Sequence, residues 1–416
     1  MFSFLAIFIT ALSLAESAYS CSHVGHPGAA RRLYQEGLEI ARMNNIRRGN
    51  QQTTSAAKSI AITNVRVFDG EKLLPLNSVY IAGGIIVPYA EGAEVVDGNG
   101  GVLLSGLIDA HTHPASVAHL EVFASNGVTT AIVASCFPAT LCNSLLNHAG
   151  LPDVRFSGLF ATTPNSTHAL MFGLLPATQI ITSASQAPGF VADQLASGAT
   201  FIKVIAEAPD FATTLDQATT NALVTSAHAN HLCVACHAAD YAAVGRALTA
   251  HVNQAHHVPT DTPLDAALLA RFVAQGTVSV PTLSIFATFL AIGQIDAAGY
   301  VAANTSVTRL RAAGVPVLAG TDSHDLPAPF APPFGSSLHA ELELLVQAGL
   351  STVEALRSAT VLAAQHNLLF DRGVVAPGMR ADLLLISGDP IANISATRNI
   401  QRVWIAGVEY AGVATN

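Results

Sequence analysis

From about residue 105 onward the chain repeats one rhythm: a short, nearly continuous apolar run, a loop, then a stretch with helical spacing of apolar positions. The runs are Leu107 to His113, Thr129 to Ser135, Arg155 to Thr162, Thr200 to Ala206, Leu232 to Ala238, Val252 to Val258, Thr277 to Leu283 and Pro316 to Ser323. Strands buried on both faces read this way, and eight βα units in succession predict an α/β fold of the (β/α)8 TIM-barrel type. Residues 60–70 and 77–90 instead alternate apolar and polar positions between Gly turns, and alternation returns beyond Arg372. The two chain ends are therefore expected to share a small β-sandwich, in segments 59–105 and 371–416, around a barrel at 106–370.

Composition narrows the function classes. Half of the 416 residues are hydrophobic and 11% are charged, which excludes a disordered chain. The balance of 19 basic against 28 acidic residues, with no basic run, lacks the footprint of a nucleic-acid partner. Phe2 to Ala15 is an uncharged, mostly apolar run ahead of Ala18-Tyr19-Ser20. This is read as a secretory signal over 1–20, with an amphipathic N-terminus as the alternative, followed by a helical extension over 21–58. The run is too short to span a bilayer, so no membrane span is expected. A secreted protein agrees with sequons at Asn165, Asn304 and Asn393.

Cys136 and Cys142 flank a short Pro-containing segment and could close a loop disulfide, while Cys21 sits at the expected mature N-terminus. Cys233-Val-Ala-Cys236-His237 has the spacing of a haem attachment motif. In a strand, however, its two sulfurs would point to opposite faces with α-carbons about 10 Å apart. The strand reading is preferred. The Pro-rich piece LPAPFAPPF (326–334) reads as a stiff loop.

The chemistry gathers at the carboxyl ends of the apolar runs, where barrel enzymes place catalysis. Asp109-Ala-His111-Thr-His113 ends the first run, and a two-residue period points both imidazoles to one side. Lys203 lies in the fourth run, between Ile202 and Val204, where a charged amine is costly unless discharged or paired. His237 closes the fifth. His256 and His257 compete at the sixth; alternation allows one of them to face inward and sends the other toward the surface or the helices. Asp322 closes the eighth, as a ligand and proton carrier or as a helix cap.

These residues and the blocks around them carry a resemblance. GLIDAHTH (106–113), GVTT (127–130), FIKV (201–204), CHA (236–238), AHHV (255–258), GTDS (320–323), the tail ELELLVQAGLSTVEALRSATVLAAQ and GVVAPGMRADLLLISGDP together resemble the metal-dependent amidohydrolase superfamily. The likeness is to its imidazolonepropionase- and prolidase-like branch, over about Ile60 to Ala411. It implies two divalent metal ions, with zinc the expected metal. His111, His113 and Asp322 would hold the more buried ion, and His237 and His257 the more exposed one. Lys203 would be carboxylated, its carbamate bridging both. Where the family usually shows Glu-His-Gly on the sixth strand, this chain has His256-His257-Val258. Asp322 is then the catalytic proton carrier beside a metal-bridging hydroxide, and Asp109 an acceptor below the metals.

Apart from Lys203, no Lys or Arg lies in a loop following any of the eight runs, whereas Glu207, Asp210, Asp240, Asp261 and Asp325 do, beside the apolar HALMFGLLP (168–176) and LPAPFAPPF. A substrate with several carboxylates or a phosphate would lack its usual Arg partners. The expected activity is cleavage of an amide or peptide-like C–N bond in a neutral, fairly hydrophobic small molecule, with His168 as a substrate-binding candidate. A lactonase or cyclic-amide hydrolase with the same centre is the second expectation, and a non-catalytic binding protein on the same scaffold the third. Self-association into a homo-oligomer stays open.

Overall fold

A computed structural model describes residues 58–173, 180–208 and 213–412. The expected signal at 1–20, nearly all of the helical extension at 21–58, Cys21, Asp210 and part of HALMFGLLP lie outside those residues. The N-terminal strands are β1 (Ile60–Phe68), β2 (Leu73–Ala82), β3 (Ile85–Val87), β4 (Glu94–Asp97) and β5 (Val102–Ser105). Strands β6 (Leu107–His113), β7 (Val128–Val133), β8 (Asp153–Phe156), β9 (Phe201–Ile205), β10 (Cys233–His237), β11 (Gln254–His256), β12 (Val278–Val280) and β13 (Ser323–His324) follow, most separated by helices. The chain closes with β14 (Leu383–Ile386), β15 (Ile400–Ile405) and β16 (Val408–Glu409).

Strands from both chain ends meet in one eight-stranded sheet, ordered β16-β15-β14-β5-β1-β2-β3 with β4 also on β1. The middle of the chain forms two parallel four-stranded sheets, β13-β6-β7-β8 and β12-β11-β10-β9. Isolated parallel bridges Ala161↔Val204 and Ser279↔Val317 link these two sheets. The molecule is thus mixed α/β, with parallel strands where the continuous apolar runs lie and mainly antiparallel ones where the pattern alternates.

Side-chain alternation sorts the middle strands into two layers. Ile202, Val204, Val234, Cys236 and Ala255 pack in one apolar cluster, whereas Phe201, Cys233 and Ala235 join another on the opposite face. Cys233 and Cys236 therefore point apart, as the strand reading requires, and Cys236 keeps a free, buried thiol. Cys136 and Cys142 are disulfide-bonded, with α-carbons 5.6 Å apart.

Two predicted runs are interrupted in the structure. The third breaks after Phe156 at Gly158, whose φ of +70° is left-handed, before Ala161 resumes pairing. In the eighth, pairing is confined to Val317 and to Ser323–His324. Gly320 lies so close to β6 that a Cβ there would fall 2.8 Å from the His111 backbone nitrogen, and Asp322 takes a left-handed φ of +55°. Only glycine permits the first approach, and a left-handed residue breaks the extended backbone just before Ser323–His324.

Candidate metal centre and active site

The residues named from the sequence converge at the carboxyl ends of the parallel strands. His111 and His113 Nε2 are 3.2 Å apart. Asp322 Oδ1 lies 3.0 Å from His113 Nε2 and 3.3 Å from His111 Nε2. Ligating atoms of His111, His257 and Asp322 all fall within 4.8 Å of one another. The His257 ring stands 5.0 Å from that of His111 and 4.5 Å from that of His237. The His168 ring is 4.5 Å from that of His237.

The sixth strand corrects the sequence reading, because both histidines face the site. In register, His237 pairs with His256, so regular alternation carries His256 inward beside it. His257 then takes φ +72°, which breaks the two-residue period and swings its side chain to the same side. Both are buried. The rule that one must point away holds only while the backbone stays extended.

His256 organises the buried half of the site. Gln254 Nε2 donates to the carbonyl of His366 and to Asn367 Oδ1, which leaves Gln254 Oε1 as an acceptor, 3.0 Å from His256 Nε2. His256 therefore carries its proton on Nε2 and presents a bare Nδ1 to His111 Nδ1 at 3.0 Å. His111 donates there and keeps its Nε2 lone pair toward His113 and Asp322. Lys203 Nζ lies 3.4 Å from the same His256 Nδ1. Sequence reasoning misses this second inward position because alternation along an extended strand allows a single inward histidine.

Further support comes from distant segments. Asp109, fully buried as expected of an acceptor below the site, receives the backbone N–H of His111 and of Thr321 and the Thr321 hydroxyl at 2.7 Å. His257 Nδ1 meets Thr282 Oγ1 at 2.7 Å. Thr282 is itself left-handed, at φ +54°, and the buried Glu341 receives the next two backbone N–H groups, from Leu283 and Ser284. Glu341 belongs to helix Ser336–Gln347, inside the tail motif, yet no local pattern ties it to the turn at 282.

Burial sets the protonation states. It pushes His111, His237 and His256 well below the ordinary histidine range, with nearby charged groups adding to the effect. It takes His257 down to about 3. These imidazoles stay neutral and keep lone pairs for a cation. Burial brings Lys203 down to about 8 against the opposing Asp322 charge. Against the effect of burial, the His113 hydrogen bond and the surrounding imidazoles hold Asp322 below the usual carboxylate range. Asp109 is raised to about 7 by burial, despite its Thr321 hydrogen bonds.

The acidic loops divide. Asp240 caps helix Tyr241–Thr249 and also receives the Ala208 N–H, and Asp261 receives the Tyr241 N–H. Asp325 lies 3.3 Å from His119, whose ring stacks on Phe334 of the Pro-rich loop. Glu207, in contrast, stays buried at the site and pairs with His168.

Neutral imidazoles and an ionised carboxylate are the donors a divalent cation takes, and His111, His257 and Asp322 stand close enough to share one. The class of protein defined by this fold and site is matched by its relatives. A sequence profile of the Amidohydrolase family matches residues 102–409, and the chain belongs to that family. It is 27% identical over 345 residues to an uncharacterized protein of Mycobacterium tuberculosis, spanning 74% of this chain and 85% of that one. It is 32% identical over 173 residues to imidazolonepropionase of Cereibacter sphaeroides, 42% of this chain and 40% of the relative. Among solved structures, an Xaa-Pro dipeptidase with bound methionine in its active site superposes with a TM-score of 0.74 at 20% identity, covering 85% of this chain and all of the other. Among the described residues, no helix is long and apolar enough to cross a membrane.

Proposed function

We propose that this amidohydrolase cleaves an amide or peptide-like C–N bond of a fairly hydrophobic small molecule with the help of two divalent cations. The observation that carries the reading is Lys203: its amine is buried among imidazoles, with no hydrogen-bonded carboxylate of its own among the described residues. Such an amine is costly as a cation and reactive as a neutral base. Neutral Lys203 attacks carbon dioxide, loses a proton and becomes a carbamate, exchanging a cation for a two-oxygen anion between the metal positions.

His111, His113 and Asp322 would hold one cation, His237 and His257 the other, and the Lys203 carbamate both. When bound, such ions acidify water and polarise a carbonyl oxygen. His256 keeps His111 in its ligating tautomer, and Thr282 orients His257. Asp322 takes the proton of the attacking water and returns it to the departing nitrogen. His168, against His237, lines the substrate side.

The same reading treats the two linked parallel sheets as one (β/α)8 barrel over 106–370, and the eight-stranded sheet as the folded-over sandwich of 59–105 and 371–416. Secretion after removal of 1–20 is part of it, supported by the Cys136–Cys142 disulfide. The test is elemental analysis and turnover. About two equivalents of zinc per chain are expected, with hydrolysis of N-acyl amino acids or blocked dipeptides abolished by chelator and restored by metal plus bicarbonate. A folded protein that binds no metal and cleaves neither class refutes the proposal.

A further inference from the structure

Glu207 stands two residues beyond Ile205, the last residue of β9, and is 5% exposed. Its Oε1 receives His168 Nδ1–H at 3.0 Å, but its Oε2 is buried with no hydrogen-bond partner among the described residues. A buried carboxylate oxygen left without a donor is strongly disfavoured, so it marks a place where a donor belongs. Glu207 is not among the groups whose ligating atoms converge on the cation position, which are His111, His257 and Asp322. No Lys or Arg lies in the loops directly after the site-forming strands to supply the missing donor.

Aromatic rings gather around His168, the partner of this carboxylate. Phe160 lies 5.8 Å from the His168 ring, 6.0 Å from Phe137 and 5.4 Å from Phe172, all edge-to-face. Leu170 and Met171, in the same short helix as His168, and Phe172 leave apolar surface exposed. One side of the subsite thus accepts a proton donor, and the other accepts an aromatic or branched apolar group.

We infer that Glu207 is a specificity-determining residue that receives the amine of the substrate, so that the preferred substrates are amides bearing a free ammonium group next to an aromatic or bulky apolar side chain. This sharpens the charge of the expected substrate from neutral to cationic, and it rests on the hydrolase reading for what happens to the bound molecule. The ammonium donates to Oε2 while His168 holds Oε1 in place, a charge-assisted contact that an alcohol of the same shape reproduces only weakly.

The test reads binding to the zinc-loaded full chain without turnover, using 2-phenylethylamine and 2-phenylethanol as probes. The wild type should bind the amine at least about tenfold more tightly. Glu207→Gln should bring the two probes to near parity while leaving the alcohol's affinity and the zinc content unchanged. Equal affinities in the wild type overturn the inference, whatever the variant does. So does a preference retained in E207Q, which would assign the amine to the metal, or the loss of zinc from E207Q, which would make Glu207 a ligand. Absence of amide hydrolysis would refute the proposed reaction and leave this binding result standing.

Discussion

Two polar clusters, one half-buried and one buried, follow opposite electrostatic plans in this protein. Beneath the parallel strands, Arg372 is 2% exposed and lies 2.9 Å from Asp153, 2.8 Å from Asp371 and 3.7 Å from Asp382. Arg155 and Arg380 complete the set, on Asp153 and Asp382. Three arginines face three aspartates. Although burial opposes their charge, Arg372 holds Asp153 and Asp371 below the usual carboxylate range. At the opposite ends of the strands, imidazoles crowd one another and Lys203, and Asp322 is the main anion among them. The first cluster neutralises itself; the second is left with lone pairs facing one another. A self-neutralised network is built for the fold, whereas an uncompensated one is built for something that arrives.

Substitution should separate the two plans. Arg372→Met removes the buried guanidinium shared by three carboxylates, of which Asp153 keeps Arg155 and Asp382 keeps Arg380, and is expected to cost about 3–5 kcal/mol of stability, read from the denaturant midpoint. Activity per folded molecule should be unchanged, and a variant as stable as the wild type would remove the contrast. Lys203→Ala is expected to show the reverse. Turnover should fall by about 10²- to 10³-fold or more, and stability should hold or rise, since a costly buried amine is gone. Wild-type turnover in this variant would end the carbamate proposal. His256→Ala sharpens the picture inside the site. With His111 free to take the other tautomer, zinc affinity by competition titration should weaken about 10- to 100-fold while the ligands themselves remain.

Much of the site is legible in the sequence. Apolar runs ending in His, Lys or Asp mark strands whose carboxyl ends carry chemistry, and His111, His113, Lys203, His237, His257 and Asp322 all arrive at one place. The roles of the loop acids are not legible there. Asp240 and Asp261 serve backbone N–H groups at the start of a helix, an assignment made by the path of the loops, while Glu207, alone among the described loop acids, keeps a buried oxygen without a partner.

Sequence alone determined which side chains stand at strand ends, because a buried parallel strand must be apolar and its polar exceptions show. Tertiary structure decided where those side chains point and in which protonation state. The sign of φ at His257, Thr282 and Asp322 overrides the period of two, and the groups that set tautomers and turns, Gln254 with His366 and Glu341 with Ser284, lie 112 and 57 residues apart. Periodicity is a local property of extended backbone. Hydrogen-bond partnership across the interior is not, and only the folded chain brings those partners together.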